Sequence, residues 1–445
     1  MLLHILYPII YSALWIFFRR IDIRGRDQVP LDRPVVFVAN HPNVMLDSMI
    51  LGLCTPGKTP RFLGKSTLFK RSIHAFFLRR LGVIPVARAQ DTNTRMAGNQ
   101  DMLRLACQAL QEGHSLALFP EGLSHAAIQV RRLKPGAARI ALRAEDEVDG
   151  RAGVCIVPVG LTYADPGLFR SDVAVHFGEA IEVSPFLTTY RANRSAGARE
   201  LTELIQLRLT ALTWHIDNPD LETIVRDLSS IYNEQIARDL PDSAALSSEL
   251  RAGQEIIQAV HYFADTNPEL VQSFAARLRA HHRKLRRLRL EPYTYAPDAA
   301  PPRTVHLLLA VVLAPVALYG FLNNALPYFL PRLFVRPYRQ TPEMIGTIKL
   351  AVGAAIFPLY YLVRMLVTYA LAGWPTALLY GCTLPLSGLF TLFYNEQILQ
   401  KWPLWQGLVA PRKRNHYLKR LEAERKLLHR DLDALKEQYL ATHSP

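Results

Sequence analysis

Cysteine is scarce in this sequence, and the few cysteines are far apart. The 445 residues include four, at Cys54, Cys107, Cys155 and Cys382, and none forms a C-x-x-C pair. This spacing indicates neither a zinc site nor a disulfide framework, and a reducing cytosolic environment is the natural interpretation. The sequence also lacks a G-x-S-x-G motif, so the strained turn that exposes a nucleophilic serine in many hydrolases is absent. No metal site and no cofactor are predicted.

Acidic residues are fewer than basic ones. The chain has 38 Asp and Glu against 52 Lys and Arg, a formal charge of +14. Such an excess suits an anionic partner, which could be nucleic acid, anionic lipid or a phosphorylated small molecule. The basic run at 277–289 contains no interleaved aromatic residue and precedes an apolar segment, so we expect no nucleic-acid binding. Anionic membrane lipid and a phosphorylated substrate remain as the candidate partners.

Long apolar runs stand at both ends of the chain, and hydrophobic residues make up 50% of it. Residues 1–18 lack an initial basic region and a small-residue cleavage site, so we predict a membrane anchor over 1–20 and not a cleaved signal peptide. If every basic cluster stays on the cytoplasmic side, Val305–Val335 forms a broken hairpin, and Ile345–Leu371 and Pro375–Phe393 form a second one. Three plain spans would place the basic tail outside. Arg364 is a rare charge within these runs.

The segment between the apolar ends predicts an α/β fold. Strand-like runs at Val35–Val38, Val83–Val86, Ser115–Phe119, Val154–Val159 and Val173–Phe177 alternate with helical stretches near 44–53, 66–81, 95–112 and 134–145. This alternation indicates a mostly parallel central sheet flanked by helices. The predicted organisation is an anchor at 1–20, a catalytic domain at 21–190, a helical accessory domain at 191–295, a linker at 296–304, a transmembrane region at 305–400 and a basic amphipathic C-terminal helix at 401–445.

The end of the first strand carries a candidate acid–base pair. Asn40 and His41 follow the strand, and Pro42 favours a turn into a helix that contains Asp47. An imidazole can accept a proton at neutral pH, and a carboxylate one helical turn away can fix its tautomer. The alternative is a surface histidine followed by an ordinary carboxylate of a first helical turn.

Three more strand ends carry polar or turn-forming residues. Gly82–Arg88 places Arg88 after a strand, where a guanidinium could bind phosphate through paired donors. Leu118–Gly122 exposes Glu121 on a proline turn, with Gly122 leaving room for a ligand. In Ile156–Gly160, Pro158 is expected to break the strand and shape a pocket wall. Each stretch also has an interpretation without function: Arg88 could be a solvated arginine, Glu121 a carboxylate in a turn, and Ile156–Gly160 part of a core strand.

The order of these blocks resembles the glycerolipid acyltransferase family of PlsC-like glycerol-3-phosphate and lysophosphatidate acyltransferases, over roughly residues 20–190. The resemblance implies that His41 is the base and Asp47 its orienting partner, and that Arg88, Glu121 and Gly122 bind the acceptor. Lys65 matches a basic position often found between the first two blocks. The five residues between His41 and Asp47 resemble a branch with an H-x-N-x-x-x-D block, in which Asn43 joins the substrate-binding residues.

One departure from the family pattern concerns the acceptor. The third block usually continues with Thr-Arg-Ser, whereas Gly122 is followed here by Leu123, Ser124 and His125. The phosphate-binding arginine is therefore missing, and Arg131, Arg132 or Lys134 are candidates to replace it.

The resemblance implies a membrane-bound O-acyltransferase of phospholipid biosynthesis, with its catalytic domain on the cytoplasmic face of what we expect to be a bacterial inner membrane. Acyl-CoA or acyl carrier protein would supply a fatty acyl group to a hydroxyl of glycerol 3-phosphate or a related acceptor. A lysophospholipid acyltransferase is an alternative, and a catalytically inactive lipid-binding scaffold is an alternative of another class. The sequence does not define the oligomeric state.

Overall fold

The computed structural model of the chain describes residues 2–57, 59–69, 75, 78–80, 82–86, 95–125, 127, 129–216, 218, 221–222, 224–225, 227–228, 242–287, 304–338, 341–399 and 412–443. Arg88 and nearly all of the predicted linker lie outside these residues. The chain divides into two compact units. The first comprises Met1–His215 together with Val335–Leu350, and the second comprises Ile216–Phe334 and Ala351–Pro445.

A mostly parallel sheet forms the centre of the first unit, as the alternation of elements predicts. In the order β1-β7-β6-β2-β5-β3-β4, with β8 beside β6, only the pairs that β6 makes with β7 and β8 are antiparallel. The strands are β1 Phe18–Arg24, β2 Val35–Ala39, β3 Arg61–Lys65, β4 Ile84–Val86, β5 Leu116–Leu118, β6 Cys155–Tyr163, β7 Ser171–Phe177 and β8 Ile181–Glu182.

Helices cover both faces of this sheet. They are α1 Leu2–Phe17, α2 Val44–Cys54, α3 Arg95–Gln111, α4 Gly136–Asp146, α5 Leu187–Ala192 and α6 Arg194–Ala211. Alternate residues of β2 point to opposite faces: Val36 and Val38 join the apolar cluster of α3, α4 and α6, and Phe37 joins that of α1 and α2. A parallel strand covered on both sides must be apolar throughout, which is why β2 reads as an uninterrupted run.

Three strands have no counterpart among the predicted ones, and one predicted strand is longer than expected. β1, β3 and β8 contain charged or glycine residues that mask their alternation. The prediction that Pro158 breaks its strand is wrong, because β6 continues to Tyr163. Proline lacks only a donor, and the carbonyl of Pro158 still accepts from the N–H of Gly178 at 2.8 Å.

The N-terminal apolar segment is a helix that packs on the sheet at its end. Leu14 and Phe17 of α1 are 0% and 3% exposed, whereas Trp15 is 59% exposed. The N–H of Arg170 donates to the carbonyl of Phe17 at 2.7 Å, and this bond helps to end the helix where β1 begins. The membrane role of this helix remains a prediction.

The first unit extends past the predicted boundary at residue 190. The side chain of Asn193 caps α6 by accepting from the N–H groups of Ser195 and Ala196, and Leu201, Ile205 and Leu209 of α6 are buried in the core of the sheet domain. A polar composition led us to assign this helix to an accessory domain, but its apolar side belongs to the first unit.

The second unit is helical. It contains α7 Asp242–Thr266, α8 Pro268–Arg287, α9 Thr304–Phe329 and α12 Arg412–His443, together with most of α11 Pro342–Tyr394; the short α10 Pro331–Val335 lies at the junction. α8 and α12 share ion pairs, Arg277 with Asp431 at 2.6 Å and Lys284 with Glu424 at 2.7 Å. Part of the basic run at 277–289 is therefore neutralised by the C-terminal helix.

Two helical stretches, Leu308–Tyr338 and Pro342–Leu399, are long and apolar enough to cross a membrane. The predicted broken hairpin at Val305–Val335 is wrong, because α9 is continuous across Pro315 and Pro327. A break does occur in α11, where Gly373 has φ 83 and ψ 173. It separates residues 342–372 from 374–394, which matches the two later predicted spans.

Candidate active site

His41 and Asp47 meet at the carboxyl end of β2. Nδ1 of His41 lies 2.8 Å from Oδ2 of Asp47, and the imidazole stacks on the ring of Phe119 with centroids 4.1 Å apart. A carboxylate only accepts hydrogen bonds, so Nδ1 carries the proton and Nε2 presents a lone pair. Nε2 makes no hydrogen bond within the described part of the chain. This is the tautomer that a general base requires.

Asp47 is completely enclosed and held by three donors. Tyr163 donates its hydroxyl to Oδ1 at 2.6 Å, and the N–H of Asn43 donates to Oδ2 at 2.6 Å beside the bond from His41. Burial raises the pKa of the Asp47 carboxyl, while these three hydrogen bonds oppose the rise. Burial and the neighbouring carboxylate raise the pKa of Tyr163 well above its ordinary value, so its phenol stays a donor.

The turn between β2 and α2 is strained. Val44 has φ 40, a conformation that a β-branched residue rarely adopts. The strain falls directly after Pro42 and Asn43, where the chain must reverse so that Asp47 faces back toward His41. Backbone strain of this kind persists where the surroundings hold it, and it is common at functional sites.

The side chain of Glu121 binds the backbone of His41. Its Oε1 accepts from the N–H of His41 at 3.2 Å, and its Oε2 is in hydrogen-bonding contact with Nε2 of His125. The N–H of His125 in turn donates to the carbonyl of His41 at 3.1 Å. Glu121 and His125 are 5% and 7% exposed, so they act as a brace that fixes the His41 backbone.

Gly122 lies against Lys134. It has φ 79, a conformation that favours glycine, and the flexible end of the Lys134 side chain lies directly over its Cα. Of the three basic candidates for the missing arginine, Lys134 is the one placed at the Glu121–Gly122 turn, and its N–H donates to the carbonyl of Pro120 at 2.9 Å. Arg131, Arg132 and Lys134 are all exposed.

Asn43 is a buried structural residue in this arrangement. It is 0% exposed, and its Nδ2 donates to the carbonyl of Pro166 at 2.7 Å. Its Oδ1 has no hydrogen-bond partner among the described residues. Direct contact between Asn43 and substrate therefore stays a prediction, and what the geometry shows is a loop brace.

The start of α11 also belongs to the first unit and packs on this loop. The hydroxyl of Thr347 donates to the carbonyl of Asn43 at 3.2 Å and accepts from the N–H of Leu46 at 3.4 Å. Gly346 has no space for a side chain, because a Cβ there would clash with the backbone carbonyl oxygen of Pro166 and would lie 2.8 Å from Leu46 Cδ1 and 3.0 Å from Asn43 Nδ2. The first turns of an apolar helix thus hold the start of α2.

Two predicted site residues cannot be placed in the site. Lys65 ends β3, and its side chain is outside the described part of the structure, as the whole of Arg88 is. β3 lies next to β5, the strand that precedes Glu121, and β4 lies beyond β3 at the edge of the sheet. Their roles remain predictions.

Sequence reasoning missed Tyr163, His125 and Thr347. Tyr163 was missed because the predicted strand ended at Val159, four residues before it. His125 was noted only as a departure from the family pattern. Thr347 lies 300 residues after Asp47, and a spacing of this size carries no local signal. In the described residues, no cluster of His, Cys, Asp and Glu could hold a metal ion.

The part of the chain that holds this site is similar to a known protein family. Residues 20–162 match the family model of the Acyltransferase family, and this segment contains β2 to β5, the His41–Asp47 pair and the Glu121–Gly122 turn.

Curated relatives share this domain. The chain is 29% identical over 145 residues to the chloroplastic 1-acyl-sn-glycerol-3-phosphate acyltransferase LPAT1 of Arabidopsis thaliana, covering 32% of this chain and 36% of that protein. It is 32% identical over 136 residues to glycerol-3-phosphate O-acyltransferase 1 of Saccharomyces cerevisiae, covering 30% of this chain and 18% of the relative. The match thus spans well under half of each relative.

A solved structure is also similar. The 1-acyl-sn-glycerophosphate acyltransferase PlsC of Thermotoga maritima aligns with a TM-score of 0.35 and 20% sequence identity, over 47% of this chain and 79% of that one.

Proposed function

We propose that this protein is a membrane-bound glycerolipid acyltransferase that transfers a fatty acyl group from a thioester to a hydroxyl of a phosphorylated glycerol. The observation that carries the proposal is the His41–Asp47 pair, in which a buried, triply hydrogen-bonded carboxylate holds an imidazole with Nε2 free. The named activities of the two curated relatives support the substrate class.

The transfer needs one base and no enzyme-bound acyl group. His41 Nε2 takes the proton of the acceptor hydroxyl as its oxygen attacks the thioester carbonyl, and Asp47 stabilises the imidazolium that forms. The tetrahedral intermediate collapses by breaking the carbon–sulfur bond. The imidazolium returns the proton to the departing thiolate, and ester and thiol are the products. Buried thiols offer no competing nucleophile, since burial raises the pKa of Cys54 and of Cys107 to about 12.

The acceptor phosphate would bind near the Glu121–Gly122 turn. Lys134 supplies a cation there in place of the missing arginine, and Gly122 allows close approach of its amine. A lysine binds phosphate as a point charge. This placement favours a phosphorylated acceptor, either glycerol 3-phosphate or its 1-acyl derivative, over an uncharged alcohol.

The membrane location is part of the proposal. The two long apolar helical stretches support it, because acyl chains and lipid products partition into bilayers. The excess of basic residues would attract phosphorylated acceptors and anionic lipid. We expect the acyltransferase domain to face the cytoplasm.

A panel of acceptors tests this function. Purified full-length protein in detergent or nanodiscs is given labelled acyl-CoA or acyl carrier protein with glycerol 3-phosphate, dihydroxyacetone phosphate, lysophosphatidate or glycerol. We expect transfer to at least one phosphorylated acceptor and far less to glycerol. The His41→Ala variant should lose at least about 10³-fold in kcat because the base is gone, and the exposed His114→Ala should keep wild-type rates.

Two results would contradict the proposal. Retained transfer in His41→Ala would remove the assigned base. No transfer to any acceptor by folded wild-type protein, with lipid binding intact, would favour the inactive lipid-binding scaffold.

A further inference from the structure

Arg364 is a charged residue in the middle of an apolar helix. It lies about 13 Å along α11 from the break at Gly373, at 1.5 Å per residue. Leu362, Val363, Leu366 and Val367 beside it are 49% to 57% exposed, as residues that contact lipid would be. An ionisable residue in such a position is costly and usually functional.

Neutral polar groups surround the guanidinium. Nε donates to the hydroxyl of Tyr380 at 2.9 Å, and Nη2 donates to Oδ1 of Asn323 at 2.9 Å and also contacts Tyr380. The Tyr380 hydroxyl donates to the same Oδ1 at 2.7 Å. The guanidinium carbon lies 5.9 Å from the ring centroid of Tyr360 and 5.5 Å from that of Tyr380. α9 and both halves of α11 thus contribute to one polar cluster.

This cluster orients the charge and does not neutralise it. No carboxylate in the described residues forms an ion pair with Arg364, and Nη1 makes no hydrogen bond with them. The Asn323 oxygen already accepts from Arg364 and from Tyr380, so its lone pairs are used. The two N–H groups of Nη1 and the positive charge therefore remain for a ligand. Charge-assisted hydrogen bonds of this kind suit a phosphate oxygen.

We propose that Arg364, Tyr380 and Asn323 form a binding site for the phosphate of an anionic lipid. The proposal rests on the membrane-bound part of the proposed function, because only a bilayer brings lipid to this face of α11. Arg364 supplies the charge, and Tyr380 and Asn323 hold its fork while the two tyrosine rings lie against it. The site is formed within the second unit and is distinct from the pair at His41 and Asp47.

A purely structural role makes a different prediction. If Arg364 only joined α9 to α11, its replacement would weaken the helix packing, but the wild-type protein would bind phosphorylated and zwitterionic lipids equally. A phosphate site predicts selectivity by lipid charge in the wild-type protein, before any residue is changed.

The experiment uses full-length protein in nanodiscs of phosphatidylcholine that contain a photoreactive phosphatidate. Crosslinked peptides are mapped by mass spectrometry. We expect labelling of the α9 and α11 peptides, competition by unlabelled phosphatidate and none by phosphatidylcholine. Arg364→Gln should reduce this labelling at least about 10-fold, and Arg364→Lys, which keeps charge but loses the fork, should fall between. Tyr361→Phe is the matched control, since Tyr361 bonds Asn324 and not Arg364.

Soluble phosphate is the other source of the same chemistry. Competition by millimolar glycerol 3-phosphate or inorganic phosphate, equal to that by phosphatidate, would assign the site to a soluble anion and overturn the lipid proposal. Equal labelling by a photoreactive phosphatidylcholine, or unchanged labelling in Arg364→Gln, would also overturn it. If Arg364→Gln does not fold, Tyr380→Phe decides, with weaker labelling expected because it keeps the charge and removes only the hydroxyl that orients it.

The lipid-phosphate site and the proposed acyl transfer can be tested independently of each other. His41→Ala should abolish acyl transfer and leave labelling of α9 and α11 unchanged. Wild-type protein that transfers acyl groups but shows no charge selectivity at α11 would keep the function and remove the lipid-phosphate site.

Discussion

At the scale of single residues, the candidate site depends on how one buried carboxyl group is held by hydrogen-bond donors without solvent. Asp47 is fully buried, and such a group is costly unless donors satisfy it. Its three donors come from His41, from the backbone of Asn43 and from Tyr163. Tyr163 reaches it from a different strand, so the activity should depend on a residue that never contacts substrate.

Replacing Tyr163 by Phe tests this dependence. The change leaves Oδ1 of Asp47 buried without its donor, which costs roughly 1–3 kcal/mol, so we expect kcat to fall about 10-fold and the melting temperature to drop by several degrees. The measurement is steady-state transfer to the best acceptor, together with thermal unfolding. Tyr190→Phe is the control, because Tyr190 is also buried in the first unit and no hydrogen bond of its hydroxyl is described. Wild-type kcat in Tyr163→Phe would show that Asp47 does not need this donor.

Sequence reasoning works at this scale only where the chemistry is local. His41, Asp47, Glu121 and Gly122 each follow a strand within a short motif, and the structure brings them together. Tyr163 and Thr347 come from distant segments, and neither has a sequence pattern that distinguishes it from a core tyrosine or a helix threonine. A donor to a buried carboxylate is defined by three-dimensional proximity, which a single sequence does not contain.

At the scale of elements, the first turns of α11 act as part of the first unit. Thr347 bonds both a carbonyl and an N–H at the start of α2, and Gly346 packs there without space for a Cβ. Lys349 adds a bond from Nζ to the carbonyl of Gly167 at 2.6 Å. The helix that begins here continues as an apolar stretch, so the position of the catalytic loop depends on an element outside the family segment.

Gly346→Ala should therefore impair catalysis strongly, although it adds only one methyl group. The added methyl would clash with the carbonyl of Pro166, which accepts the hydrogen bond from Nδ2 of Asn43. Losing this brace would shift the loop before α2, and small misplacements of catalytic groups cost up to about 10²-fold in rate. We expect kcat to fall at least about 10-fold, measured with saturating acceptor and donor.

Gly353→Ala in the same helix is the matched control. A Cβ at Gly353 meets nothing within 4 Å, and alanine favours a helix over glycine by roughly 0.5–1 kcal/mol. This variant should keep full activity and be equally or more stable. Equal rates for Gly346→Ala and Gly353→Ala would show that the start of α11 does not position the site.

The elements that sequence reasoning recovered are those with strong periodicity. β2, β5, β7 and α2 to α4 were predicted close to their observed bounds, because an apolar run or an amphipathic repeat defines them. β1 and β3 were missed because charged residues interrupt them. α9 was misjudged because its prolines were read as breaks, although a helix tolerates proline where the freed carbonyls find other partners.

At the scale of the whole molecule, a buried histidine makes the folding of the second unit sensitive to acid. The second unit buries His281 in α8 with His282, Glu424, Arg425 and Lys284 around it, and its Nδ1 lacks a hydrogen bond from the described residues. Burial, with a smaller effect of His282, lowers the pKa of His281 from 6.5 to about 4. Between those two values the unfolded chain binds a proton that the folded chain does not. Stability must therefore rise with pH across this window and be lost as the pH falls through it.

His281→Leu should remove part of this acid sensitivity. The leucine keeps an apolar side chain in the buried position and has no proton to bind, so the loss of thermal stability between pH 7 and pH 5 should be smaller than in the wild type. His114→Gln is the control, since the His114 side chain is 39% exposed, and its acid response should equal that of the wild type. The measurement is the unfolding midpoint of full-length protein in one detergent at both pH values. The shift in midpoint between pH 7 and pH 5 is measured for each variant, so the contributions of the other titrating groups, which are the same in all variants, cancel. If this shift is the same in His281→Leu as in the wild type, the buried imidazole does not couple folding of the helical unit to pH.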